Sequence, residues 1–135
     1  MSSAESLTVD KMLGHAAQGR SRVLVVEDEY FIADDLAKAL ERHGAEVLGP
    51  MPRVRDALAC VEGPHPPDLA VLDINLGSET AYIVAAALRR RGTPFVFVTG
   101  YDCSSMPAEF HDVTCLEKPV EPDVVARSLL AMLAS

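Results

Sequence analysis

The sequence predicts an α/β domain: a doubly wound, five-stranded parallel sheet with helices on both faces, a three-layer sandwich. Two observations carry that expectation. The runs Val23-Leu24-Val25-Val26, Leu69-Ala70-Val71-Leu72 and Phe95-Val96-Phe97-Val98 are apolar at every position, as strands buried on both faces must be. Segments with apolar residues at helical spacing lie between them, so strands and helices alternate and neighbouring strands run parallel. The 135 residues suit one such domain, and 49% hydrophobic content supplies a core without disulfides or a structural metal.

Residues 1–20 are small and polar and are read as an arm, either a short helix over 8–17 or a disordered segment; the domain is placed at 21–135. After the first strand, Phe31, Ile32, Leu36 and Leu40 recur at helical spacing, and Gly44 stands where a helix C-cap belongs. A short apolar strand over 45–48 stops at Gly49-Pro50. Val54, Leu58 and Val61 form the stripe of a second helix, and Gly63-Pro64-His65-Pro66-Pro67 can only be a loop. A third helix over 80–91 turns Ile83, Val84, Ala87 and Leu88 inward and gathers three arginines in its last turn, where the helix dipole favours cations. Residues 102–111 are weakly patterned, so any helix there should be short. A fifth strand over 113–116 precedes a last helix that opens on Pro122 and turns Val125, Leu129, Met132 and Leu133 inward.

Twenty acidic residues against twelve basic ones give a formal net charge of −8. Affinity for nucleic acid rests on clustered Lys and Arg, so no nucleic-acid partner is expected. No apolar run approaches the ~18 residues of a membrane span, and the N-terminus lacks a signal-peptide profile. A soluble, cytoplasmic protein without a membrane partner is the economical reading. Cys60, Cys103 and Cys115 are odd in number and form no Cys-x-x-Cys pattern, which fits a reducing compartment with Cys115 as a small core residue.

Polar residues stand immediately after the strands: Glu27 and Asp28, then Asp73, Thr99 and Lys118. In a sheet of this kind, functional groups collect beyond the carboxyl ends of the strands. Carboxylates brought together there repel one another. A hard divalent cation with oxygen ligands would offset them, while Lys118 adds a fixed charge and Thr99 a hydroxyl. Such a set can hold a phosphoryl group during its transfer. Singly, each residue has a plainer reading: Asp28 as a helix cap, Asp73 and Thr99 as turn residues, Lys118 as a solvated lysine. Their joint occurrence at successive strand ends favours a site.

The motifs Val25-Val26-Glu27-Asp28-Glu29, Leu72-Asp73-Ile74-Asn75-Leu76, Thr99-Gly100 and Leu116-Glu117-Lys118-Pro119, in this order, resemble those of response-regulator receiver domains over roughly residues 21–135. The resemblance implies a flavodoxin-like (CheY-like) fold and a set of roles. Asp73 would be the phosphoacceptor, a carboxylate nucleophile towards the phosphohistidine of a histidine kinase. Asp28 would bind Mg²⁺ directly, with Mn²⁺ as a substitute, and Glu27 through a water; Asp73 and the Asn75 backbone carbonyl would complete the ligands. Thr99 would hydrogen-bond the phosphoryl group and shift with it. Lys118 would pair with phosphoryl oxygens, aimed inward by a cis bond before Pro119, and Gly100 would leave a gap for the donor. Such a domain catalyses its own Mg²⁺-dependent phosphorylation and dephosphorylation, although it is not a conventional enzyme.

The stretch Phe95-Val96-Phe97-Val98-Thr99-Gly100-Tyr101 is similar to the FAT-GUY subgroup of receivers. Together with Glu27-Asp28-Glu29 and Leu116-Glu117-Lys118-Pro119, it resembles receivers attached to HWE histidine kinases. Two departures stand out. Cys115 occupies the position, three residues before Lys118, where typical receivers carry a switch Tyr or Phe; Tyr101 is the nearest substitute, with loop packing as its plainer role. Gly77-Ser78-Glu79 also replaces the Met-Pro turn of many receivers.

The function expected is that of a response regulator phosphorylated on Asp73 by a histidine kinase or phosphotransfer protein. It would act through protein contact, phosphorelay or phosphate drainage. No attached output domain is expected, because the last helix ends almost at the C-terminus. Tyr30, Phe31 and Ile32 are candidates for kinase docking, and the protein should be a monomer or weak homodimer. The alternatives are a receiver excised from a hybrid histidine kinase, a pseudo-receiver that binds proteins without being phosphorylated, and an Asp-nucleophile phosphohydrolase. The last is disfavoured because Asp73-Ile74-Asn75 is neither Asp-x-Asp nor on the first strand.

Overall fold

The computed structural model describes residues 20–133. In chain order the elements are β1 (Arg22–Val26), α1 (Tyr30–Arg42), β2 (Glu46–Met51), α2 (Val54–Glu62), β3 (Leu69–Asp73), a small hairpin of β4 (Asn75–Leu76) and β5 (Glu79–Thr80), α3 (Tyr82–Arg90), β6 (Phe95–Thr99), β7 (Cys115–Glu117) and α4 (Pro122–Leu130). Five strands form one sheet in the order β2-β1-β3-β6-β7, all parallel. The chain therefore runs outward in both directions from the β1–β3 pair, which opens a crevice at the carboxyl ends of those two strands. The arm expected over residues 1–20 lies outside the described residues, except for Arg20.

Period-two alternation along the buried strands sends side chains to two separate cores. Leu24, Val26, Ala70, Leu72, Phe95 and Phe97 face Val54, Ala57 and Val61 of α2 and Val84, Ala85 and Leu88 of α3. Val23, Val25, Leu69, Val71, Val96 and Val98 face Leu36, Ala39 and Leu40 of α1 and Val125, Ala126 and Leu129 of α4. Burying each such Val, Leu or Phe contributes about 1.5–3 kcal/mol, so both layers hold the sheet in place.

Between β6 and β7 there is no α-helix, only 3₁₀ turns at Cys103–Ser105 and Ala108–Phe110. The sequence there has no apolar stripe, and Pro107 interrupts it. One aromatic ring covers the sheet instead. Phe110 stacks on Tyr82 at 5.6 Å and meets Phe97 edge-on at 5.6 Å. Arg89 lies over the outer face of the Phe110 ring at 5.5 Å and pairs with Asp112 at 3.1 Å, pinning the loop to α3.

Several sequence expectations need correction. β2 does not stop at Gly49-Pro50 but runs through a cis Gly49–Pro50 bond to Met51. It is an edge strand, where a missing N–H is tolerated, and an irregular register between Leu24 and Val26 absorbs the extra residue. Gly49 has φ of 103°, and a Cβ there would lie 3.0 Å from the Val25 carbonyl oxygen. α3 begins at Tyr82, because Thr80 pairs with Asn75 in the β4–β5 hairpin. Ile83 is exposed, since the buried stripe runs through Ala81, Val84, Ala85 and Leu88, one step out of phase with it. Phe31 and Leu133 also face outward; Phe31 lies off the Leu36–Leu40 face of α1, and Leu133 follows the end of α4.

The cysteines depart most from expectation. Cys103 and Cys115 form a disulfide with their Cα atoms 6.0 Å apart, and Cys60 is the free thiol. Cys115 is half-buried at the edge of the core, not an unpaired core residue. An odd count conceals a pair when the third thiol sits on another element.

Phe97, fully buried and ringed by Tyr82, Phe95 and Phe110, is the side chain on which this loop packs. Phe97→Ala is expected to cost about 3–5 kcal/mol of unfolding free energy, whereas Ile83→Ala, on the exposed face of α3, should stay within about 0.5 kcal/mol. Urea unfolding of both variants measures the difference.

Candidate functional site

Because all five strands run the same way, their carboxyl ends share one edge, and each strand delivers its next polar residue there. β1 and β3 are neighbours in register, with Val26 opposite Leu72. The residues that follow, Glu27 and Asp73, are therefore adjacent, and both are buried. The Glu27 N–H donates to the Met51 carbonyl at 3.1 Å, and its Oε2 accepts the Glu29 N–H at 3.1 Å. Asp73 Oδ1 accepts the Asn75 N–H at 3.2 Å. Asp28 is exposed. Helix capping does not account for it, because the N-cap of α1 is Glu29 and no side chain caps that end. Carboxylate oxygens of Glu27, Asp28 and Asp73 all lie within 4.8 Å of one another.

On the other side, Thr99 closes β6, almost wholly buried, and its Oγ1 accepts the Tyr101 N–H at 3.1 Å. β7 pairs with β6 so that Thr99 faces Glu117, and the Lys118 N–H donates to the Thr99 carbonyl at 2.7 Å. The Lys118–Pro119 bond is cis, and the lysine side chain turns inward. Its Nζ lies 3.0 Å from Glu27 Oε1, 3.2 Å from Asp73 Oδ2 and 3.6 Å from Glu29 Oε1.

One ammonium thus faces a group of carboxylates in a poorly solvated cleft. Burial first, and the negative charge of Asp73 after it, push the Glu27 carboxyl up to about 7, against the Glu29 N–H and Lys118, which favour its ionised form. Burial works against the Lys118 charge, yet its hydrogen bond to Glu27 and the charges of Glu27 and Asp73 outweigh this and hold the ammonium above the usual lysine value. The balance remains negative. An all-oxygen donor set of this kind, with one member open to solvent, suits a hard divalent cation that keeps several waters, such as Mg²⁺. Glu27, Asp28 and Asp73 are the residues that would hold it.

The remaining candidates surround this centre. The space a side chain would take at Gly100 is open, with no atom within 4 Å. Tyr101 points to solvent, 67% exposed. Tyr30 and Phe31, 74% and 79% exposed, meet edge to face at 5.4 Å at the start of α1. Ile32 is half-buried and lines a groove of about 460 Å³ with Glu29, Leu36, Val98, Pro119 and Val125, which opens onto Glu27 and Lys118. The Asn75 residue sits in β4, directly after the Asp73 turn. Two participants were not singled out by the sequence. Glu29 contacts Lys118, and its signal was the third acid of Glu27-Asp28-Glu29. Cys103 bonds Cys115, which spacing alone did not reveal.

Residues 23–129 match the response regulator receiver domain family. Sensory transduction protein LytT of Bacillus anthracis is 32% identical over 112 residues, covering 80% of this chain and 45% of LytT. Transcriptional regulatory protein PdtaR of Mycobacterium tuberculosis is 28% identical over 102 residues, covering 75% of this chain and 49% of PdtaR. The chain thus spans about half the length of these curated relatives. Among solved structures, SdrG from Sphingomonas melonis Fr1 is 42% identical with a TM-score of 0.71, over 86% of this chain and 98% of that one. A response regulator receiver protein from Sinorhizobium medicae WSM419 shares the fold at a TM-score of 0.76 with 20% identity, over 87% of this chain and 98% of that one. With the sheet order, the acidic cleft and this match in agreement, the chain belongs to the response regulator receiver domain family of two-component signalling.

Proposed function

We propose that this receiver takes a phosphoryl group onto Asp73 from the phosphohistidine of a histidine kinase or phosphotransfer protein and passes the signal on by contact with other proteins. The observation that carries the reading is the position of Lys118 Nζ, within 3.2 Å of both Glu27 and Asp73 carboxylates. An Asp73 carboxylate oxygen attacks phosphorus, a P–O bond forms, the P–N bond to the donor imidazole breaks, and the imidazole keeps the electron pair. Lys118 then offsets the phosphoryl oxygens. Thr99 Oγ1 accepts from Tyr101, which leaves its own hydroxyl proton to donate to a phosphoryl oxygen. Asp28, Asp73 and the Asn75 carbonyl, with Glu27 through a water, would hold Mg²⁺, which would supply charge to neutralise the crowded anions.

Turning the Thr99 hydroxyl inward would release the Tyr101 N–H, so Tyr101 carries the change outward in place of the absent switch aromatic. Tyr30 and Phe31, exposed at the start of α1, provide the apolar contact for the donor, next to Ile32 in the groove that reaches the site. The wording of residues 95–101 favours an HWE-class kinase as donor, acting in the cytoplasm.

Intact mass after incubation with Mg²⁺ and phosphoramidate should show one base-labile phosphoryl adduct, absent from Asp73→Asn and from protein in excess EDTA. No adduct from small donors or from phosphorylated kinase would leave a protein-binding module instead.

The raised Glu27 value gives a pH dependence with a definite sign. The folded, metal-free protein binds this proton more tightly than the unfolded chain does. The associated stability is therefore fully present below about 4.5 and lost as pH rises through about 7. Urea midpoints in EDTA should fall across that window. Mg²⁺ competes with the same proton, so its affinity should be roughly tenfold weaker at pH 6 than at pH 8, a dependence that titration calorimetry should find missing in Glu27→Gln.

A further inference from the structure

We infer that Cys103 and Cys115 form a reversible redox site, a dithiol that closes to a disulfide by exchange with a low-molecular-weight disulfide and, when closed, holds the segment between β6 and β7 against the phosphorylation site. Its effect on signalling rests on the phosphoacceptor reading above; the redox chemistry does not.

The placement of the pair is the first ground. Cys103 lies four residues beyond Thr99, and Cys115 three residues before Lys118. The Lys118 N–H donates to the Thr99 carbonyl at 2.7 Å. Residues 99–103, the sulfur bridge and residues 115–118 therefore close a small ring that contains both polar residues of this half of the site. The Cys103 N–H also donates to Glu117 Oε2 at 2.9 Å, across the same ring. With the bridge closed, the backbone after Thr99 cannot move away from β7. With it open, that exposed hydrogen bond and the strand pairing are what still tie residues 99–103 to β7, while Phe110 anchors the later part of the segment.

The second ground is that the bridge is not needed as a staple. The sheet is covered on both faces by continuous apolar cores, whereas disulfides are structurally essential mainly in small secreted domains that lack a core. The bridge instead spans the one connection between sheet strands that has no α-helix. Both cysteines are half-buried but flanked by exposed Asp102, Ser104 and Thr114, so a small disulfide can approach them. Disulfides in reducing compartments are typically transient and regulatory. Cys60 does not compete: it sits on α2, which packs on the β1–β2 side of the sheet, and burial pushes its thiol up.

The exchange balances. One cysteine thiolate attacks a sulfur of the small disulfide and displaces a first thiolate, giving a mixed disulfide. The second cysteine displaces the other half. The pair loses two electrons and two protons, and two small thiols carry both away.

The test uses the full chain equilibrated in glutathione buffers, trapped with N-ethylmaleimide and weighed intact. Reduced protein should take three alkyl groups and oxidised protein one, with Cys103→Ser and Cys115→Ser unable to close the bridge. Amide hydrogen exchange over residues 100–114 should be about tenfold slower in the oxidised form. With Mg²⁺ and beryllofluoride as the phosphoryl mimic, that segment should respond in reduced but not in oxidised protein. Three reactive thiols in excess oxidised glutathione, or equal exchange in both redox forms, would overturn the proposal. Loss of the beryllofluoride response in both forms would instead count against the phosphoacceptor reading, with thiol counts and exchange unaffected.

Discussion

The ammonium of Lys118 is the group on which the arrangement of the cleft depends. Glu27 and Asp73 follow adjacent parallel strands and are both buried, so their carboxylates are forced together where water cannot screen them. Removing one partner from such a cluster leaves an uncompensated charge and costs several kcal/mol. The β6–β7 pairing, the Lys118 N–H bond to Thr99 and the cis peptide before Pro119 place the lysine nitrogen between the two acids. The remaining negative charge makes the cleft receptive to a divalent cation.

The two halves of the domain are covered differently. The β1–β3 side is rigid, with every β3 residue buried and helices packed above and below. The β6–β7 side is lighter, with 3₁₀ turns in place of a helix and one ring, Phe110, closing the core. Asp73 lies in the first half, while Thr99, Tyr101 and the Cys103–Cys115 bridge lie in the second.

Cys115 connects these points. An aromatic side chain at that place would pack or swing by itself, whereas a cysteine acts only through its partner. Here a covalent bond to Cys103 stands where bulk would pack, and Tyr101 points outward on the same loop.

The all-apolar runs at residues 23–26, 69–72 and 95–98 were sufficient to read a doubly wound parallel sheet, because only strands covered on both faces can be apolar at every position. That topology also made Glu27, Asp28, Asp73, Thr99 and Lys118 legible as neighbours, since parallel strands must all end on one edge. Local phase was less legible. Ile83 and Phe31 carry the hydropathy of core residues but lie off the buried face, because helix rotation is set by the packed neighbours and not by a residue's own character. The passage of β2 through Gly49-Pro50 depended on its being an edge strand, which is a property of the whole sheet. The lysine's choice of partners and the Cys103–Cys115 bond were settled by tertiary structure alone. Both join residues whose separation in space comes from the way the loop after β6 folds back onto β7, and neither periodicity nor composition records the course of a loop.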